Sequence, residues 1–210
     1  LRYDHFETGF VHPQLGEQLQ KLGESNYSVD DYIAETRSSN VTKAVHVQAA
    51  VGMEDPVDET KWLQEAVGRT GFPHAIVAHA DLRDPGVETV LERHCEFPNV
   101  RGIRDFSRGD YLVASDFHRG YALLEKFNLV ASLDVKWQDM GKERDLADKF
   151  PNIRLVLDHA GFPTERTDEY FQNWRRGLRI VSEAENVVCK ISGLGMCDWN
   201  WTVESIRPWV

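Results

Sequence analysis

Residues 153–163 read Ile-Arg-Leu-Val-Leu-Asp-His-Ala-Gly-Phe-Pro, a short apolar run that passes directly into charged residues and glycine. A run of Ile, Leu and Val without clean polar alternation is typical of a strand covered on both faces, as in a parallel sheet. Phe150-Pro151-Asn152, just upstream, indicates the end of a helix. The stretch therefore predicts a helix followed by a buried strand, with polar residues placed where the strand ends.

Six segments of this kind occur along the chain, and their starts lie roughly 25 to 35 residues apart, the size of one β/α unit. The candidate strands are Ala44–Ala49, Ala75–Ala80, Val100–Asp105, Leu129–Val135, Ile153–Asp158 and Val187–Ser192. The segments between them carry helix signals. Ser28, Asp55-Pro56 and Asp84-Pro85 are typical of helix starts, Gly71 of a helix end, and residues 170–184 of an amphipathic helix.

Such a series is compatible with an open doubly wound sheet or with a closed barrel. A dinucleotide-binding sheet carries GxGxxG in its first strand-to-helix turn, whereas that turn here reads Ala49-Ala50-Val51-Gly52. Gly193-Leu194-Gly195 lacks the third glycine, and the sequence contains no GxxxxGK[ST] loop. We therefore predict an α/β protein with a (β/α)8 TIM-barrel fold, forming a single domain over residues 1–210.

Composition narrows the classes of partner. The 210 residues carry a net charge of −10 without a Lys/Arg run, which argues against nucleic acid as a partner. The chain contains no apolar stretch of the ~20 residues that a membrane span needs. Three cysteines without a CxxC pair predict free, buried thiols in a reducing compartment, hence the cytoplasm. We expect a small-molecule substrate, and homo-oligomerisation stays open.

The ends of the predicted strands are unusually polar, and a (β/α)8 barrel keeps its active site at the carboxyl ends of its strands. These positions hold His46, Gln48, His79, Asp81, Arg104, Asp105, Asp134, Lys136, Asp158, His159, Lys190 and Ser192. Burying unpaired charges is costly, so packing alone does not explain the set. His159 is favoured as a functional residue because Gly161 beside it allows a ligand to approach the backbone.

Structural alternatives remain open for most of these positions. His46 is equally compatible with a hydrogen-bonded structural histidine, and Asp105 with a helix N-cap. Ion pairs within the barrel wall would account for Asp134 with Lys136, for His79 with Asp81, and for Lys190. The remaining histidines are predicted to lie on the surface: His5, His12, His74, His94 and His118.

Residues 155–163 resemble the "DHxGxP" strand end of the amidohydrolase-related family, which includes sugar lactonases, a pyrone-dicarboxylate lactonase and nonoxidative aromatic decarboxylases. Other segments resemble the family in the same order. Residues 27–32 are similar to its first helix, 44–49 to its second strand, 100–104 to its "RGIR" strand and 190–194 to its "KxSGL" strand. The resemblance extends over nearly the whole chain.

Two family features are missing from the sequence. No His-x-His motif occurs, and no "GSDFP"-like segment with its aspartate follows the sixth strand. In the family these residues are the usual metal ligands and general base. The chain thus resembles strands two to seven of the barrel, and we expect the first and last units to belong to a longer protein.

The resemblance implies a hydrolase, a lactonase that opens a sugar lactone or a pyrone-type lactone with water. His159, Arg104 and Lys136 would be the catalytic residues, with His159 polarising the lactone carbonyl and Arg104 holding the substrate. Gln48, His46 and Ser192 would contact the substrate. Some relatives bind zinc and others work without a metal, so a divalent metal held by His159 and a metal-free site both stay open. The alternatives are a zinc-dependent nonoxidative decarboxylase and a non-catalytic barrel relative.

Overall fold

A computed structural model describes residues 27–48, 54–196 and 198–210. These residues form two compact units. The first contains the described residues up to Ala80 together with Gly86–Arg104, and the second contains Asp81–Pro85 and Asp105–Val210. Each unit is built from parallel strands that alternate with helices.

The first unit contains three strands in chain order. Its elements are α1 (Val29–Thr36), β1 (Val45–Val47), α2 (Val57–Thr70), β2 (Ala75–His79), α3 (Val87–Cys95) and β3 (Val100–Asp105), whose last residue falls in the second unit. β1 pairs with β2 in parallel, with His46 opposite Ile76, and β2 pairs with β3 in parallel, with Val77 opposite Gly102.

The second unit repeats the same order of strand and helix. It contains α4 (Ser115–Lys126), β4 (Val130–Leu133), α5 (Met140–Lys149), β5 (Leu155–Leu157), α6 (Asp168–Ser182), β6 (Val187–Cys189) and α7 (Val203–Ile206). Ser132 lies opposite Val156, and Val156 opposite Val188, in two parallel pairs. These registers place Ser132, Val156 and Val188 on one face of β4–β6, which we call the polar face.

The polar face continues beyond the strands because side chains alternate along extended chains. It carries Asp134, Asp158 and Lys190 two residues after the positions just named. The opposite face is apolar, and Leu133, Leu155 and Leu157 on it are fully buried. The strands therefore separate a hydrophobic core from a row of polar groups.

All six predicted strands are present, and five of them are shorter than the predicted runs. Ser28 caps α1 in a capping box with Asp31, and Gly71 ends α2 in the left-handed conformation, as predicted. The predicted start at Asp84-Pro85 is wrong. Helix α3 begins at Val87 after Gly86, without a side-chain cap.

Three smaller predictions also need correction or refinement. Helix α2 begins one residue after Pro56, although the Asp55 carboxylate still accepts a hydrogen bond from the Val57 amide at 3.0 Å. Cys95 and Cys189 are exposed rather than buried, whereas Cys197 lies outside the described residues. Of the histidines predicted at the surface, His5 and His12 lie outside the described residues.

His94 is fully buried, contrary to the surface position predicted for it. Its ring nitrogens lie 2.9 Å from the Thr60 hydroxyl and 2.9 Å from the His79 carbonyl oxygen. Burial lowers the pKa of His94. The sequence did not indicate a buried position on α3, because most residues next to His94 in the chain are polar.

Among the described residues, no helix combines the length and the apolar character needed to cross a lipid bilayer.

Candidate functional site

The chain makes a left-handed turn directly after β5. His159 (φ 53°), Ala160 (φ 54°), Gly161 (φ 71°) and Phe162 (φ 48°) are four consecutive residues with positive φ. For residues other than glycine this conformation costs roughly 1–2 kcal/mol each. Strain of this kind persists only where surrounding contacts hold it, and it often marks a functional position.

Contacts from two neighbouring elements hold the turn. The Ala160 amide donates to the Lys190 carbonyl at 2.8 Å, just after β6, and the Ala160 carbonyl accepts a hydrogen bond from the Trp174 indole of α6 at 2.7 Å. A Cβ at Gly161 would displace the Met140 methyl group, and the positive φ of 71° at this position also favours glycine. The turn is thus fixed to β6 on one side and to α6 on the other.

The turn brings the His159 ring against the residues that follow β6. Its Nδ1 lies 3.1 Å from the Ser192 hydroxyl oxygen. Gly193 (φ 70°) packs so closely that a Cβ there would approach His159 Nδ1 to 2.8 Å. The Phe162 ring meets the imidazole edge-on, with centroids 5.8 Å apart. The structure therefore brings together two predicted site residues, His159 and Ser192.

A charged cluster lies beside His159 on the polar face. Lys190 Nζ is 2.5 Å from Asp158 Oδ1, and the Ser132 hydroxyl donates to the Asp158 carboxylate at 2.9 Å. Lys190 also donates to the Ser132 oxygen at 3.0 Å. The Asp158 side chain is 1% exposed and that of Lys190 is 32% exposed. Lys190 thus forms the ion pair that the sequence left open, and it keeps part of its surface open to solvent.

Asp134, Asp158 and His159 offer one ligand atom each, and these atoms lie within 4.8 Å of one another. A mixed set of imidazole nitrogen and carboxylate oxygen atoms suits a divalent metal such as zinc. Asp158 already neutralises Lys190, so a metal would compete with that ammonium group for this carboxylate. Asp134, Asp158 and His159 together are the donor set that fits a divalent metal.

The predicted site residues of the first unit form separate contacts. Gln48 is 2% exposed, and its backbone carbonyl accepts a hydrogen bond from the Arg104 guanidinium at 3.1 Å. The His79 ring is 3.0 Å from the Arg104 carbonyl, and the ion pair of His79 with Asp81 stays a prediction. His46 Nε2 lies 2.9 Å from the carboxylate of Glu59, a buried residue of α2. This contact matches the structural alternative for His46, and its role in substrate binding stays a prediction.

Two other positions have different surroundings from those expected. Lys136 is exposed, at the start of the short turn Trp137–Asp139, and its catalytic role stays a prediction. Asp105 is not a helix N-cap. Its buried carboxylate accepts hydrogen bonds from the amides of Leu82 and Ser107 at 2.7 and 2.6 Å, and burial raises its pKa.

Glu143 of α5 is a buried acid that the sequence did not single out. Its side chain is fully buried, and neither carboxylate oxygen has a hydrogen-bond partner among the described residues. Burial, with a smaller contribution from the negative charge of Asp158, raises its pKa to about 8. Its position three residues after Met140, on the buried stripe of α5, was the available signal.

Comparison with known proteins identifies the family. Residues 11–210 match the model of the family described as Amidohydrolase. The chain belongs to this amidohydrolase family. An uncharacterised protein, y4mH, of Sinorhizobium fredii is 35% identical over 88% of this chain and 66% of its own length. An L-fucono-1,5-lactonase of Burkholderia multivorans is 31% identical over 74% of this chain and 54% of its own length.

A solved amidohydrolase structure from Burkholderia multivorans, with bound zinc, is similar over the whole chain. The TM-score is 0.81 at 27% identity, and the match covers 100% of this chain and 73% of the solved one. The (β/α)8 barrel fold predicted from the sequence is thereby confirmed. The chain spans about two thirds or less of the length of the curated relatives it matches.

Proposed function

We propose that this protein is a lactonase that opens a small sugar lactone or pyrone-type lactone with water. The observation that carries the proposal is the left-handed turn after β5, which presents His159 beside the Ser192 hydroxyl and the Asp158–Lys190 ion pair. The similarity to an L-fucono-1,5-lactonase at 31% identity supports a lactone as the substrate.

The chemistry needs a polarised carbonyl and a stabilised oxyanion. Attack of water on a lactone carbonyl places negative charge on the carbonyl oxygen, and fixed donors aimed at that oxygen lower the barrier. His159 supplies a ring N–H for this purpose, and Ser192 Oγ, 3.1 Å from its Nδ1, orients the ring. Lys190, held in place by Asp158 and Ser132, is a further hydrogen-bond donor on the same face.

Substrate binding is assigned to groups at other strand ends. Arg104 at the end of β3 presents a planar guanidinium group, which suits a carboxylate or paired hydroxyl groups. Gln48 and Lys136 are proposed to contact substrate hydroxyl groups. If a divalent metal is bound, His159, Asp134 and Asp158 would hold it, and it would supply Lewis-acid polarisation of the carbonyl.

The test is lactone hydrolysis by the His159→Asn variant. The intact protein is assayed by proton release against a panel of sugar 1,5-lactones, sugar 1,4-lactones and 2-pyrone-4,6-dicarboxylate. We expect His159→Asn to lower kcat/KM by about 100-fold or more, the range for losing one oxyanion donor. His74→Asn is the control because His74 is an exposed histidine of the first unit, and it should keep full activity.

Three results bear on the alternatives. Full activity of a folded His159→Asn protein on a lactone that the parent opens would end the proposed role of His159. Release of carbon dioxide from aromatic acids, with no lactone opened, would favour decarboxylase chemistry. Metal analysis of the parent and the variant shows whether zinc and activity are lost together.

A further inference from the structure

We infer that Trp174 is a positioning residue for His159, because its indole N–H holds the left-handed turn in the conformation that presents the imidazole. The inference rests on the proposed function, which makes His159 the polarising group. Trp174 lies on α6, 15 residues after His159 in the sequence. Its indole binds the carbonyl of Ala160, the residue that follows His159.

The contact meets the turn at its strained centre. Ala160 has φ 54° and ψ 32°, and it follows a residue of nearly the same conformation. Its amide is already bound to the Lys190 carbonyl, so the indole bond at 2.7 Å fixes the second polar group of the same residue. With both groups held, rotation of the turn towards a relaxed conformation requires breaking two hydrogen bonds.

Trp174 is itself rigidly held, as a positioning residue must be. It is 4% exposed and belongs to a buried cluster with Ala160, Tyr170, Leu194 and Trp209. Its ring stacks on Phe171 with centroids 5.7 Å apart and meets Trp209 at 4.9 Å. The indole therefore has little freedom, and its N–H is directed at one carbonyl.

The link to chemistry passes through the ring of His159. The turn sets the direction of the side chain, and the 3.1 Å contact of Nδ1 with Ser192 depends on that direction. The His159 ring lies against Gly193, in space that a Cβ at that position would occupy. A turn that relaxes would withdraw the imidazole from Ser192, and catalytic groups displaced by as little as about 1 Å lose much of their effect.

The experiment compares Trp174→Phe with Trp209→Phe in the intact protein. Both changes shrink a buried aromatic ring of the same cluster, and Trp174→Phe also removes the N–H that binds the Ala160 carbonyl. We measure amide hydrogen exchange at Ala160, the NMR signals of the His159 ring, and kcat and KM on a lactone that the parent opens. Incorporation of 3-benzothienylalanine at position 174 keeps the shape of the indole without the N–H, and it replaces Trp174→Phe if that variant does not fold.

We expect Trp174→Phe to accelerate amide exchange at Ala160 by about tenfold and to move the NMR signals of the His159 ring. It should also lower kcat by about five- to tenfold and leave KM within twofold. These changes correspond to the loss of roughly one hydrogen bond. Trp209→Phe should leave all three unchanged within twofold. Unchanged exchange and ring signals in the Trp174 variant would overturn the inference, as would faster exchange with unchanged kcat. If the parent opens no lactone, the proposed function fails, and the exchange and ring signals alone decide whether Trp174 positions His159.

Discussion

Replacing Lys190 with methionine should destabilise the protein far more than replacing an exposed lysine or arginine. Lys190 Nζ is 2.5 Å from Asp158 Oδ1, and the Asp158 side chain is 1% exposed. At that distance the attraction is about 7 kcal/mol in an effective dielectric of about 20. Removing one partner of a buried pair typically costs about 3–5 kcal/mol, because the other charge stays buried without compensation.

The lower end of that range applies here because Lys190 is about one third exposed and solvent screens part of its charge. We therefore expect Lys190→Met to lower the free energy of unfolding by about 3 kcal/mol. For a chain of this size that loss corresponds to a fall in Tm of roughly 6–12 °C. Methionine keeps the length of the apolar stem, so the loss reports chiefly on the charge.

The assay is urea unfolding at neutral pH, followed by circular dichroism, with a double-mutant cycle. Asp158→Asn combined with Lys190→Met removes both charges, and the double variant should be more stable than Lys190→Met alone. Arg69→Met is the matched control because it breaks the exposed pair of Arg69 with Asp30, whose side chains are 59% and 61% exposed. The control should cost less than about 1 kcal/mol. Equal losses for Lys190→Met and Arg69→Met, or a coupling energy near zero in the cycle, would refute the reasoning.

Two further predictions concern binding and pH. Arg104→Ala should raise KM for an acidic or polyhydroxylated lactone more than it lowers kcat, because its proposed role is uniform substrate binding, whereas Arg101→Ala, an exposed residue of the same strand, should change neither. An unchanged KM would give Arg104 a structural role. The pKa of Glu143 is raised from 4.5 to about 8, so the folded state keeps a proton that the unfolded state loses, and stability falls as pH rises from about 4.5 to about 8. Glu143→Gln should flatten this fall. Between pH 5 and pH 8, the unfolding free energy of the variant should rise relative to that of the parent by on the order of 3 kcal/mol. Equal pH dependence of the two proteins would show that Glu143 is ionised when folded.

The strands were predictable because burial on both faces leaves a local signal. Runs such as 153–158 are apolar over several residues, and no tertiary information is needed to recognise them. Helix α3 was less predictable at its start, since Asp84-Pro85 has the chemistry of a cap but Pro85 and Gly86 still lie in a turn before Val87. Local capping signals compete with tertiary contacts, and here the signal at Asp84 did not set the boundary.

The candidate site was predicted only in part. The polar residues at the ends of the predicted strands indicated a polar cluster. Of the predicted residues, His159 and Ser192 do lie together in the structure. The partners of Lys190 were left open, because an ion pair between residues 158 and 190 depends on the register of β5 against β6. Glu143 was missed, since an acidic residue on an amphipathic helix is normally solvated, and its spacing from Met140 on the buried stripe was a weak signal against that expectation.

The sequence by itself determined the succession of strands and helices, the family, and the placing of polar residues after each strand. These features depend on local periodicity and on motifs of adjacent residues, which a linear chain displays directly. Only the tertiary structure decided that His159 stands in a left-handed turn, that Trp174 and Lys190 hold that turn, and that Glu143 is buried without a partner. Each of these depends on the meeting of residues far apart in sequence, and such meetings are set by strand register and helix packing rather than by local preference.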